Sequence, residues 1–373
     1  MKTAKLSKMT KIALIGLFMS PLAPADLTKI TPSLPLDPSQ RPSRDWTSVE
    51  SLLFPADAKK PFFSTDALLV IKNGNVEYEK YWNGNHAETS HISWSVSKSL
   101  SSLIWGAALL KGDVELHSSL CKVAPKFEGR INCQLTWDHL LSWSSGLSFL
   151  ESYEGDGNRT QSSVGQMLYG DGKYDSVEFV LKHRQIYQPG THYYYSTGDS
   201  TVLLGLLKYV YDDAHNSSFP HKLLFQPLGM KSAAFERDIS GHFLGGSSAF
   251  LSARDLAKIG ELILGRGVWR GQQVLPGSYL DYLFEENPNW KTSEDSEREW
   301  IPLRHWWKVN VEALGLDREP TFPKDIYAAR GHWGQYLIVI PSRKIVLVRY
   351  GLDLEGRVNI IEIIKRTLQV LGG

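Results

Sequence analysis

Ser95 and Lys98 stand three residues apart at the head of an apolar run, Leu100 to Leu110. That run reads as a buried helix. Residues at i and i+3 share a helix face, so the Lys98 amine can lie against the Ser95 hydroxyl. A serine hydroxyl is a poor nucleophile until a neighbour takes its proton. A lysine can take it once burial and nearby positive charge lower the lysine pKa. The helix start adds unpaired N–H groups and the positive end of the peptide dipoles. Such a pair offers acyl transfer: Ser95 attacks a carbonyl, and water later releases the acyl group. The same spacing recurs at Ser119 and Lys122, between turn-forming residues and without a long apolar helix behind it, so that copy reads as accidental.

The elements that must hold the pair lie on both sides of it. Leu68-Leu69-Val70-Ile71 reads as a strand, Asn73-Gly74 as a hairpin turn, and Val76 to Trp82 as a second strand. Near the other end, Gln335 to Ile340 and Ile345 to Tyr350 flank the turn Pro341-Ser342-Arg343-Lys344, and Val358 to Val370 reads as an amphipathic helix. Between them, Thr136 to Trp143, Thr201 to Tyr211 and Ser252 to Leu264 read as helices, the last with Ser252 as its cap. Glu151 to Tyr174 is polar and Gly-rich and reads as a mobile loop. Asn287 to Lys324 is Trp-rich and irregular; it is either a wall or lid of a site or a surface insertion tied down by its tryptophans. The expected fold is α+β, an α/β sandwich whose antiparallel sheet is built from both termini, about 60–92 and 325–373. A mainly helical region, about 110–280, and the irregular segment, about 287–324, are inserted into it. The cleft between sheet and helices is the expected site.

With 42% hydrophobic and 22% charged residues and a net charge of +1, nothing points to nucleic acid. Lys2, Lys5, Lys8 and Lys11 precede the apolar stretch Ile12 to Met19, and Ala23-Pro24-Ala25 fits a cleavage site. This pattern reads as a secretory signal peptide cut after Ala25, or alternatively as an uncleaved anchor. A cleaved chain is expected in the periplasm, with no stable insertion in the membrane. Cys121 and Cys133 are then either a disulfide, as an oxidising compartment favours, or two buried thiols. The eleven histidines are scattered without a ligand-like cluster, so no metal and no cofactor is expected. His139 falls on a helical apolar face and reads as structural.

Three segments then fall into order: Ser95-Val96-Ser97-Lys98; Pro189-Gly190-Thr191-His192-Tyr193-Tyr194-Tyr195-Ser196-Thr197-Gly198; and Gly331-His332-Trp333-Gly334-Gln335, which opens a strand. Around them lie His139-Leu140-Leu141-Ser142-Trp143-Ser144-Ser145-Gly146-Leu147, Pro227-Leu228-Gly229-Met230 and Ser252-Ala253-Arg254-Asp255-Leu256-Ala257. From about Leu68 to the C-terminus the chain resembles the serine β-lactamase and penicillin-binding-protein superfamily. It is most similar to the class C β-lactamase-related hydrolases: esterases, D-amino-acid peptidases and 6-aminohexanoate-dimer hydrolases. The resemblance implies a β-lactamase/transpeptidase-like fold and a small-molecule or peptide substrate with an ester or amide bond. It gives Ser95 the role of acylated nucleophile and Lys98 that of base or proton relay. Tyr195 stands at the tyrosine of a Y-x-N element that shuttles a proton between nucleophile and leaving group; Tyr193 and Tyr194 compete for that place. His332-Trp333-Gly334 occupies the K-T-G or H-x-G element on the sheet's edge strand. The backbone N–H groups of Ser95 and Gln335 would form an oxyanion hole, worth about 3–4 kcal/mol per donor. Two departures bear on substrate. Thr197 replaces the Asn of Y-x-N, which weakens a β-lactamase reading. His332 and Trp333 replace the cation and hydroxyl that would bind a substrate carboxylate. Trp94, Tyr193, Tyr194 and Trp333 flank the motifs and favour an apolar or amide-bearing acyl chain. A D,D-peptidase or weak β-lactamase is the alternative activity, and a non-catalytic binding protein the alternative class.

Overall fold

The computed structural model describes residues 44–54, 62–127, 129, 131–153, 162–211, 218–292 and 299–372. The expected leader, 1–25, lies outside the described residues.

The first hairpin forms as its sequence dictates: β1 (Phe63–Lys72) and β2 (Asn75–Tyr81) join through Asn73 and Gly74, both in the left-handed region at φ 53° and 75°. Short strands follow: β3 (His91–Ile92), β4 (Ala234–Phe235), β5 (Ala249–Leu251), β6 (Val268–Trp269) and β7 (Gln272–Gln273). The chain ends through β8 (Trp300–Pro302), β9 (Trp307–Val309), β10 (Tyr327–Gly331), β11 (Gln335–Ile340) and β12 (Ile345–Asp353). The main sheet is antiparallel throughout, in the order β2-β1-β12-β11-β10-β9-β8. Within it the first long strand pairs with the last, Leu69 opposite Val348.

The helices are α1 (Thr47–Leu53), α2 (Val96–Lys111), α3 (Leu120–Val123), α4 (Trp137–Leu141), α5 (Ser163–Tyr169), α6 (Ser176–Leu181), α7 (Thr197–Val210), α8 (Ala253–Leu264), α9 (Gly277–Leu283) and α10 (Ile360–Val370). Both faces of the sheet are covered. Leu68, Val70 and Leu347 point into a core shared with α1 and α10, while Leu69, Ile71 and Val348 point into the core of α2, α7 and α8. A strand buried on both faces needs a continuous apolar run rather than alternation, and Leu68 to Ile71 is one. α2 is the central helix: it is buried from Val96 through Ala108, its first turns polar and hydrogen-bonded, the run from Leu103 to Ala108 apolar.

Four expectations need correction. The segment 287–324 is not wholly irregular: β8 and β9 come from it and extend the main sheet. The strand opened by Gln335 is consequently not an edge strand; β11 lies between β10 and β12. β3, at the end of the stretch read as sheet, pairs with β5 in a separate three-stranded sheet. The stretch 151–174 also holds a helix, α5, capped by Ser162. Cys121 and Cys133 form a disulfide. No helix among the described residues is long and apolar enough to cross a membrane.

Candidate active site

Ser95 occupies the N-cap position of α2, one residue before the first helical turn, yet its side chain caps no helix N–H. Its hydroxyl instead accepts a hydrogen bond from Lys98 Nζ at 2.8 Å. Trp94, just before it, is held at φ 48°, a left-handed conformation that costs a bulky residue about 1–3 kcal/mol. The serines of α2 explain how such a turn is held. Ser97 Oγ accepts from Ala249 N, Ser99 Oγ donates to the His305 carbonyl, and Ser101 Oγ donates to the Gly245 carbonyl. Each hydroxyl pins a neighbouring loop to the helix and leaves no buried backbone group of that contact unpaired.

Lys98 is buried and donates three hydrogen bonds: to Ser95 Oγ (2.8 Å), Thr197 Oγ1 (2.8 Å) and the Gly246 carbonyl (2.7 Å). An ammonium has three donors, and this arrangement satisfies all of them. Gly246 can approach because it lacks a side chain; a Cβ there would stand 2.5 Å from the Thr197 carbonyl oxygen. Burial pushes the Lys98 pKa down to about 8, against the opposing pull of the Glu151 charge.

The second motif arrives through α7. Tyr195 precedes its cap, Ser196, and Thr197 is its first residue. The Tyr195 ring lies 4.8 Å from Lys98 Nζ, edge-on to Trp143 at 4.9 Å and tilted against Trp307 at 5.7 Å. Tyr193 is buried against Trp143, and Tyr194 donates its N–H to the Trp143 carbonyl, so among the three tyrosines it is Tyr195 that lies against Lys98. Trp143 itself stacks on His305 at 4.8 Å. His305 is fully enclosed and burial drives its pKa down to about 3, so it is a neutral ring held between Leu141 O and Ser200 Oγ.

The third motif is a tight turn between β10 and β11. Trp333 and Gly334 both have positive φ, 60° and 83°. At Gly334 a Cβ would meet Arg349 Nη1 at 2.6 Å, and Arg349 donates to the Gly334 carbonyl at 2.5 Å. Gln335 is fully buried. Its amide donates to the Gly351, His332 and Trp333 carbonyls, and its carbonyl oxygen accepts from Gly351 N. The side chain thus staples the turn to β12. Trp94 meets Trp333 edge to face at 5.2 Å and His332 at 6.0 Å.

Two cavities meet at Ser95, Tyr153 and His332. One, of about 370 Å³, is mostly apolar and is walled by Trp94, Val164, Leu168 and Tyr169. The other, of about 800 Å³, is more polar and runs past Tyr195, Trp307, Arg330 and Asp353. Tyr153 stacks on His332 at 5.0 Å where they meet. Arg330 lines the larger chamber and lies over the rings of Trp300 and Trp307.

The structure thus brings Ser95, Lys98, Thr197, Tyr195, His332, Trp333 and Gly334 around one cleft. His139 stands apart, its Nδ1 accepting from Thr136 N in the cap of α4. Sequence reading missed Glu151. Its carboxylate accepts from Thr197 N at 2.8 Å and from the hydroxyls of Thr197 and Tyr153. It also missed His305, whereas Trp307, from the segment read as either a wall or a surface insertion, lines the larger chamber.

The Beta-lactamase family model matches residues 58–351. A 6-aminohexanoate-dimer hydrolase from Paenarthrobacter ureafaciens is 23% identical over 265 residues, 68% of this chain and 67% of that protein. Among solved structures, EstCE1, a hydrolase with promiscuous acyltransferase activity, superposes with a TM-score of 0.68 at 15% identity, covering 86% of this chain and 97% of EstCE1. A D-stereospecific amidohydrolase from Streptomyces sp. superposes with a TM-score of 0.61 at 13% identity, covering 86% of this chain and 98% of the amidohydrolase.

Proposed function

The chain belongs to the beta-lactamase family and is a serine hydrolase, and from that premise we propose that it cleaves ester or amide bonds through an acyl-enzyme on Ser95. The observation that carries this reading is the 2.8 Å contact between Ser95 Oγ and a buried Lys98 whose pKa lies near 8. A neutral amine is then within reach at mildly alkaline pH, whereas an ordinary lysine, near ~10.4, offers almost none. Ser95 gives its proton to this amine as it attacks. Tyr195, against Lys98 and open to the larger chamber, passes a proton to the leaving group. The backbone N–H groups of Ser95 and Gln335 receive the oxyanion, and water then frees the acyl group.

The two chambers divide the substrate. The leaving group belongs beside its proton donor, so it lies in the larger chamber with Tyr195 and Arg330. The acyl chain takes the apolar chamber behind Trp94 and Leu168. Arg330 suits a leaving group that ends in a carboxylate, as the product of a 6-aminohexanoate-dimer hydrolase would. Initial rates on p-nitrophenyl esters of two to twelve carbons, on short amino-acid amides and on a chromogenic cephalosporin test this. The expected order is esters of medium chain first, amides second, the cephalosporin last. A cephalosporin turned over faster than every ester would replace this reading with a β-lactamase.

The leader pattern and the disulfide support export, with the mature chain starting at Asp26 in the periplasm. N-terminal sequencing of protein recovered from the periplasmic fraction tests it; an intact Met1 there would favour an anchor.

A further inference from the structure

Glu151 is 46 residues from Thr197 in sequence and belongs to no motif, yet it is tied by hydrogen bonds to the group that holds Lys98. Lys98 Nζ donates to Thr197 Oγ1 at 2.8 Å, and the same hydroxyl donates its own proton to Glu151 Oε1. The Thr197 N–H fixes the other carboxylate oxygen at 2.8 Å. The direction of donation is therefore continuous from ammonium to hydroxyl to carboxylate. Only a hydroxyl at position 197 can both accept from Lys98 and hand a proton onward by exchanging one O–H bond for another. An Asn amide can accept and donate, but through different atoms.

The three acceptors around Lys98 Nζ describe a resting ammonium, which cannot take a proton from Ser95. We propose that Lys98, Thr197 and Glu151 form a proton relay in which Glu151 takes up the proton Lys98 must lose before Ser95 can attack. The proposal rests on the acyl-enzyme reading given above. One Lys98 N–H bond breaks as an O–H bond forms on Thr197, and the former Thr197 proton bonds to Glu151. Lys98 is then neutral and Glu151 is a carboxylic acid. Ser95 transfers its proton to Lys98 as its oxygen bonds the substrate carbonyl. When the tetrahedral species collapses, that proton passes by way of Tyr195 to the leaving group. Glu151 then returns its proton through Thr197, and the resting charges are restored. No external acid or base is consumed.

The titratable groups around this relay come from several elements. Tyr195 lies over Lys98, Tyr153 donates to Glu151, and Asp199 of α7 senses the Glu151 charge while burial pushes its own pKa up to about 7. His305, beneath Trp143, senses Lys98 but stays neutral. Glu151 acts through Thr197 and is accordingly a positioning residue.

The test is kcat and KM against pH on one p-nitrophenyl ester for wild type, Glu151→Gln, Thr197→Val, Thr197→Ser and the Glu151→Gln/Thr197→Val pair. Expected are losses of about 100-fold in kcat for Glu151→Gln and for Thr197→Val, with KM within about threefold of wild type. The double variant falls no further than the worse single one, because one chain has been cut twice. Thr197→Ser keeps the hydroxyl and stays within about threefold of wild type. In Glu151→Gln what activity remains should rise with pH as Lys98 loses its proton to solvent, whereas the wild type, with its internal acceptor, should not. Wild-type kcat in Glu151→Gln, losses that multiply in the double variant, or losses confined to KM would each overturn the relay. Melting curves identify any variant that fails to fold, and the Thr197→Ser and Thr197→Val comparison then decides alone. Ester turnover by wild type that Ser95→Ala abolishes keeps the acyl-enzyme reading intact whatever the Glu151 result.

Discussion

Ser-x-x-Lys occurs twice in this chain, and the two copies have almost nothing else in common. At Ser119 the hydroxyl accepts from Cys121 N and donates to the Cys133 carbonyl, so it caps a four-residue helix, and Lys122 is exposed. At Ser95 the hydroxyl caps nothing, and Lys98 is buried in the first turn of a sixteen-residue helix with three acceptors around its amine. The spacing is the same; the burial differs. Hydration keeps an exposed ammonium protonated, whereas a buried one loses that support and moves toward the range where it can act as a base. The lesson is that the motif supplies adjacency, and the long apolar helix behind it supplies the chemistry.

The comparison can be broken at several points. The largest effect is expected at the Ser95 copy: Ser95→Ala and Lys98→Ala each lower kcat/KM on a p-nitrophenyl ester by at least about a thousandfold, while Ser119→Ala and Lys122→Ala leave it within twofold. Tyr195→Phe comes next, with a loss of about 10²–10⁴-fold in kcat, and Tyr194→Phe should cost little. The pH profile sharpens the contrast. With Glu151 taking up the Lys98 proton, kcat/KM of the wild type should stay level across pH 8, whereas without Glu151 the amine must lose its proton to solvent and the rate should climb with pH. A wild-type profile that rises through pH 8 would show that solvent, and not Glu151, frees the amine. At the Ser119 copy the effects are on stability alone. Replacing Cys121 and Cys133 together by Ser should cost ~2–3 kcal/mol in denaturant unfolding with kcat unchanged. Ser119→Ala, the smallest change, should cost about 1 kcal/mol for the lost cap.

Much of this was legible beforehand, and for a physical reason. The first and last long strands are buried on both faces and read as unbroken apolar runs; Asn73-Gly74 marks the first hairpin and Ser252 caps α8. The three motifs kept their order because each sits where a rigid element begins: Ser95 at α2, Thr197 at α7, Gln335 at β11. What escaped lacked a local signal. β8 and β9 are three residues each, too short for any period, and are strands because β9 pairs on the edge of β10 and β8 on that of β9. Glu151 sits in a polar stretch that reads as a loop, and its partner Thr197 is contributed by α7. His305 is enclosed by Trp143 and α2 rather than by its own neighbours in sequence. Local pattern reports faces and turns; it does not report which distant side chain closes over a buried amine.

The most direct measurement of an activated Ser95 is the intact mass of the folded protein after exposure to a fluorophosphonate, for wild type, Ser95→Ala and Ser119→Ala. One adduct on wild type and on Ser119→Ala, with none on Ser95→Ala, is the predicted result. An adduct that survives in Ser95→Ala, or no adduct on a folded wild type, would contradict it.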